Sequence, residues 1–139
     1  MKIFTDEITL KTKGNADIID ITGEVKGLLK KYGASEGHIV LFVRGSTAGL
    51  TTMEFEPNLA KDIRRAFDKI APEGEEYAHH MTWGDHNGHS HVRASLLGPS
   101  ITVPFKEKNL VLGTWQQIVL IDFDTSSRSR SVTTQIICT

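Results

Sequence analysis

GHIVLFVRGSTAGLTTMEFEP, residues 37–57, is the stretch whose reading decides the fold. Its first part, Gly37–Arg44, is apolar on both faces of an extended chain, which predicts a buried central strand. Gly45-Ser46-Thr47-Ala48-Gly49 then breaks the pattern. Residues 51–56 resume as a strand, with Thr51, Met53 and Phe55 on one face and Thr52, Glu54 and Glu56 on the other. Pro57 stops that strand. Asn58 is expected to cap a helix over 59–70, in which Leu59, Ile63, Ala66, Phe67 and Ile70 recur at helical spacing. Strand, short turn, strand and amphipathic helix in quick succession point to an α+β protein.

Working outward toward the N-terminus, residues 22–32 read as a second helix. Thr22 stands at its start, Val25, Leu28 and Leu29 form an apolar stripe, and Gly33 follows Lys30 and Lys31 at its end. Before it, 2–9 and 16–21 read as strands separated by a turn at Gly14-Asn15. Toward the C-terminus, VRASLLG is a short helical stretch ended by Gly98. Residues 100–104 and 110–113 read as a hairpin, and 115–123 and 131–137 as two further strands joined by a polar turn containing Arg128 and Arg130. The expected architecture is therefore α+β, with mixed but largely antiparallel sheets and two main helices packed on them. The 139 residues form one domain, 1–139, with no linker or internal repeat.

Composition excludes several classes. The net charge is −1, so there is no basic excess to hold nucleic acid. No apolar run is long enough for a membrane-spanning helix. The single cysteine, Cys138, excludes a disulfide framework and favours a cytoplasmic home. The opening MKIFTDEITL lacks the apolar region of a signal peptide and reads as the start of the mature fold.

The chemistry is concentrated in HHMTWGDHNGHSHVRASLLGPS, residues 79–100, which carries five of the six histidines. On a strand, His89 and His91 would share a face and reach one ion. His79 with a carboxylate would complete the set, and zinc suits such imidazole ligands. His80 and His86 read as exposed loop histidines, and His38 as a structural one. Glu54 is the matching carboxylate, a candidate metal ligand or general base. The turn holding Ser46 and Thr47 offers N–H groups and hydroxyls to an anion. Arg44 and Arg93 are candidates to hold phosphate. Trp115 and Gln116 would stack a heteroaromatic ring and bond its edge.

STAGLTTMEFEP, WGDHNGHSHVRASLLGPSITVPF and LGTWQQIVLIDFD resemble the YjbQ family, also called UPF0047, and the resemblance covers nearly the whole chain. It implies an α+β domain that assembles as a homotrimer. It also implies weak thiamine-phosphate synthase activity, joining a thiazole phosphate to a pyrimidine diphosphate with release of pyrophosphate. The family pattern implicates Glu54, His79, Asn87, His91 and the block Gly113-Thr114-Trp115-Gln116. One departure stands out: where many members carry His-Thr-Thr-Ala-Gly, this chain has Gly45 in place of the histidine. In this reading Glu54, His79, His91 and Arg93 are catalytic. Arg44, Ser46, Thr47, Asn87, Trp115 and Gln116 bind the substrate. His79, His89 and His91 hold a divalent metal, zinc foremost. The alternatives are a metal-dependent hydrolase of a phosphorylated small molecule and a non-catalytic trimer that binds such a metabolite.

Overall fold

Alternation of apolar and polar side chains runs through most of the strands, and it sorts them into two sheets. The computed structural model describes residues 1–139. The elements follow in the order β1 (Lys2–Thr12), β2 (Asp17–Asp20), α1 (Thr22–Tyr32), β3 (Gly37–Val43), β4 (Ala48–Met53), α2 (Pro57–Ile70), α3 (His80–Trp83), α4 (Gly88–Leu97), β5 (Ser100–Lys106), β6 (Asn109–Leu110), β7 (Gln117–Asp122) and β8 (Arg128–Cys138). One sheet has the order β1-β8-β3-β5-β6 and the other β2-β7-β4. Every pairing is antiparallel.

The main core lies where both sheets and α1 turn their apolar sides together. Ile39, Leu41 and Val43 of β3, Val132 and Ile136 of β8 and Val103 and Phe105 of β5 come from the larger sheet. Leu50, Ile118 and Leu120 come from the smaller one, and Val25, Leu28 and Leu29 from α1. The other face of the smaller sheet carries Ile18, Val119 and Ile121. It is covered by Ala60, Ile63 and Phe67 of α2 and by Ala94 and Leu97 of α4. Strand β7 is thus buried on both faces, which is why it reads as an unbroken apolar run.

Three expectations need correction. Strand β3 is central, between β8 and β5, but only one face is buried: Phe42 is 46% exposed and His38 is exposed. The run GHIVLFV is apolar on a side that no element of this chain covers. Asn58 does not cap α2. Glu56 does, its carboxylate accepting from the Asn58 and Leu59 N–H groups at 2.9 and 2.6 Å. Pro57 then occupies the first helical position, where a missing N–H costs nothing. Finally, a third substantial helix exists beside α1 and α2. Helix α4 begins at Gly88, so it takes in the histidine triplet that a strand was expected to hold.

Candidate functional site

Helix α4 organises the histidine-rich stretch and divides it. Each helical residue advances about 100° around the axis, so His89 and His91 stand about 200° apart. Their rings leave opposite flanks, and the pairing expected from strand geometry does not exist. Between them Ala94 and Leu97 pack on the smaller sheet. The end of α4 presses on β4. The Leu50 N–H donates to the Gly98 carbonyl at 3.0 Å. A Cβ on Gly49 would stand 2.8 Å from that oxygen, so only glycine admits the contact.

On the first flank, the His79 and His91 rings lie 4.5 Å apart, inclined by 39°. His79 Nδ1 is 3.6 Å from the Asp85 carboxylate, an ion pair when the imidazole is protonated. That nitrogen is buried and makes no hydrogen bond, and neither does Asn87 Oδ1 at the start of α4. Such atoms lack the partner that buried polar groups ordinarily have. One turn on from His91, Ser95 donates its hydroxyl to the His91 carbonyl at 2.8 Å. Ser95 lines a cavity of about 300 Å³ together with Gly45, Ser46, Phe42 and Pro99. Asp85 and Ser95 lie within the histidine-rich stretch but carried no assigned role from the sequence.

The 45–48 turn beside this cavity is held from below. Arg130 donates from Nε and Nη2 to the Asp122 carboxylate at 2.6 and 2.9 Å, and from Nη2 to the Thr47 hydroxyl at 2.6 Å. Thr47 in turn donates to Asp124 at 3.1 Å. Thr47 is therefore buried and fully engaged, and it is removed from the substrate-binding set. Gly45 has φ +126°, and a Cβ there would meet Arg130 Nη1 at 2.7 Å. The guanidinium fills the space that a side chain at position 45 would need. Burial raises the carboxyls of Asp122 and Asp124. The bonds from Arg130 and Thr12 to Asp122, and from Arg128 and Thr47 to Asp124, outweigh it, and both end below the ordinary carboxylate range. This network was legible only as a hint: Arg130 takes an inward position in the alternation of β8, where a charge needs a partner.

On the opposite flank, His89 is 2% exposed, and its Nδ1 has no hydrogen-bond partner. Burial, aided by the Arg93 charge, lowers its pKa, so the ring is neutral near pH 7. Arg93, one turn along, donates to the Ala71 carbonyl and to Asp68, both at 2.9 Å. It ties α4 to the end of α2 and lies away from the His79–His91 pair, so the expected catalytic role for it has no support in the geometry. The His80 and His86 rings lie 3.8 Å apart, inclined by 34°. With His89, Tyr77 and the carboxylates of Glu73, Glu75 and Glu76 they line a cavity of about 390 Å³.

Glu54, Trp115 and Gln116 are elsewhere. Glu54 is exposed just beyond β4. Gln116 donates from Nε2 to the Thr52 hydroxyl at 3.0 Å and accepts the Gly113 N–H at 3.0 Å, which leaves its amide a loop-holding role. Trp115 is 74% exposed. All three cluster where Met53 pairs with Gln117, whereas Ala48 at the other end pairs with Asp122. The C-terminal end of α4, at Leu97 and Gly98, meets β4 at Gly49. Arg44 is exposed at the end of β3 and makes no side-chain hydrogen bond. Nowhere do three histidine, cysteine or carboxylate side chains converge as a metal site would need, so His79, His89 and His91 do not form the expected ligand set.

Comparison with known proteins adds a lineage. The family described as UPF0047 protein YjbQ-like matches residues 6–139. A UPF0047 protein of Methanothermobacter thermautotrophicus is 37% identical over 124 residues, covering 89% of this chain and 85% of its own length. The UPF0047 protein YugU of Bacillus subtilis is 35% identical, covering 84% and 87%. A crystal structure of a YbjQ-like protein of unknown function from Sulfolobus solfataricus superposes with TM-score 0.92 at 31% identity, over 99% of both chains. An uncharacterised conserved protein from Clostridium acetobutylicum superposes with TM-score 0.86 at 37% identity, over 95% of this chain and 99% of its own.

Proposed function

The chain belongs to the UPF0047 YjbQ-like family, and from that premise we propose that it is an enzyme acting on small phosphorylated metabolites, with thiamine-phosphate synthase-like transfer as its reaction. The observation that carries this reading is the His79–His91 pair, with its unpartnered Nδ1 beside Asp85. In the proposed step the thiazole ring nitrogen attacks the methylene carbon of the pyrimidine diphosphate. The C–N bond forms as the C–O bond breaks, and pyrophosphate leaves with the electron pair. Paired imidazoles favour that departure by donating to the oxygens on which charge collects. The Ser46 hydroxyl and the free N–H groups of the turn hold phosphate. Asn87, buried and unsatisfied, is placed to bond the substrate.

The second half of the site comes, in this reading, from another copy in a homotrimer. Neither Glu54 nor Trp115 lines the Gly45–Ser46 cavity, and Trp115 offers its ring to solvent. The uncovered face of β3 with Phe42 supplies an apolar surface for assembly. Zinc belongs to this reading only as an ion shared between copies, because one chain presents two close imidazoles and no third donor. No step here depends on it. No helix is long and apolar enough to cross a membrane, and we place the reaction in the cytoplasm.

Purified protein given thiazole phosphate and pyrimidine diphosphate should release thiamine phosphate and pyrophosphate. His91→Ala should lower the rate by about 100-fold, the range of a lost transition-state donor. Equal turnover by His91→Ala and wild type sinks the reading. Co-assembly of His91→Ala with Glu54→Ala should recover part of the activity, and a solution mass of one chain would remove the shared site. Saturable phosphate-ester binding without turnover would make the protein a metabolite binder instead.

A further inference from the structure

We infer that the cavity on the His89 flank of α4 is a second binding site, and that it takes a small organic cation bearing an ammonium or guanidinium group. Three carboxylates, Glu73, Glu75 and Glu76, stand around it, and none of them is engaged in an ion pair within the chain. No lysine or arginine lines it. The cavity is thus a concentration of unpaired negative charge, which favours a cation.

The independent sign of a ligand is His89. Its ring is 2% exposed, it lines the cavity, and its Nδ1 has no partner. Nδ1 itself is closed to solvent, and a neutral imidazole with no hydrogen bond of its own can donate or accept through the edge it turns to the cavity. The wall is built to hold its shape. Tyr77 lies so close over Gly88 that a Cβ there would stand 2.5 Å from the Tyr77 Cβ, and the phenol donates to the Pro72 carbonyl at 2.7 Å. The His80 and His86 rings, 3.8 Å apart and inclined by 34°, close another side.

The ligand is a molecule and not a bare ion. A metal needs donors converging on one point, and the donors here do not converge. They are spread around about 390 Å³, a volume within the range of small-molecule sites. Carboxylates separated in this way suit a ligand with several N–H groups, and guanidinium would pair with one of them through two parallel bonds. None of the residues lining this cavity lines the Gly45–Ser46 cavity, so the inference stands apart from the proposed reaction.

Agmatine, which carries both a guanidinium and an ammonium group, is the probe, and isothermal titration calorimetry on the full chain is the measurement. Saturable binding of one agmatine per chain is expected, weakening as salt is raised. The triple variant Glu73→Gln/Glu75→Gln/Glu76→Gln should bind roughly tenfold or more weakly, as befits the loss of charge-assisted bonds. All three positions are exposed, so its unfolding midpoint should match wild type. His89→Gln should weaken binding as well, while His91→Ala should bind agmatine normally even where it abolishes turnover. No saturable heat at millimolar agmatine overturns the inference. So does equal affinity in the triple variant, or displacement of agmatine by one zinc ion per chain.

Discussion

The two flanks of α4 carry similar residue types and are prepared for opposite charges. Toward His91 the helix meets a turn of small residues, hydroxyls and free N–H groups, with Arg130 beneath it and one carboxylate, Asp85, beside His79. Toward His89 it meets three unpaired glutamates and a neutral, desolvated ring. Identical side chains two positions apart therefore serve different chemistry, because a helix sends them to different neighbours. Histidine content alone says little; the surroundings of each ring decide whether it faces an anion or a cation.

The contrast is broken most severely by removing what supports the first flank. Asp122→Ala leaves Arg130 buried without its main partner, and it should cost about 3–5 kcal/mol in urea unfolding. It should also loosen the 45–48 turn while agmatine binding per folded molecule is unchanged. The same network sets the acid limit. Asp122 and Asp124 have folded pKa values below their unfolded value near 3.9. Their contribution is therefore complete above about pH 4–5 and is lost as pH falls through the folded values. Wild type should lose stability steeply below about pH 4, and Asp122→Ala should lose less over that range.

Smaller effects sharpen the comparison. Gly45→Ala puts a Cβ against Arg130 and forces a left-handed backbone on alanine. It should cost about 1–3 kcal/mol and lower turnover without changing agmatine affinity. Gly88→Ala should do the reverse, costing about 1–3 kcal/mol through overpacking on Tyr77 and weakening agmatine alone. His89 tests the second flank by pH. Its folded pKa lies below its unfolded value near 6.5, so its stabilising share is present above pH 6.5 and is lost as pH falls through the folded value. The slope of stability against pH just below 6.5 should flatten in His89→Gln, read from thermal midpoints across that range. Glu56→Ala, at the distant end of α2, should cost only about 1 kcal/mol and alter neither flank.

Much of this was readable in advance. The helices at 22–32 and 59–70 announced themselves by apolar spacing, and most strands by alternation. His79 and His91 were both expected in the site and do come together. His89 was misplaced because HSH satisfies both a strand and a helix start, and only the contact of α4 with β4 chooses between them. Thr47 looked like a phosphate-binding hydroxyl because its partners, Asp124 and Arg130, lie 77 and 83 positions away in sequence.

By itself, then, the sequence determined, for most of the chain, which segments are helix or strand, that the class is α+β, and that five of the six histidines gather in residues 79–100. Those properties come from local periodicity, which needs no knowledge of distant contacts. The tertiary structure alone decided which histidines meet, which polar groups are consumed by the buried Arg130 network, and that Glu54 stands exposed beyond β4. Each of those depends on which distant segments are brought face to face, and pattern along the chain carries no record of that.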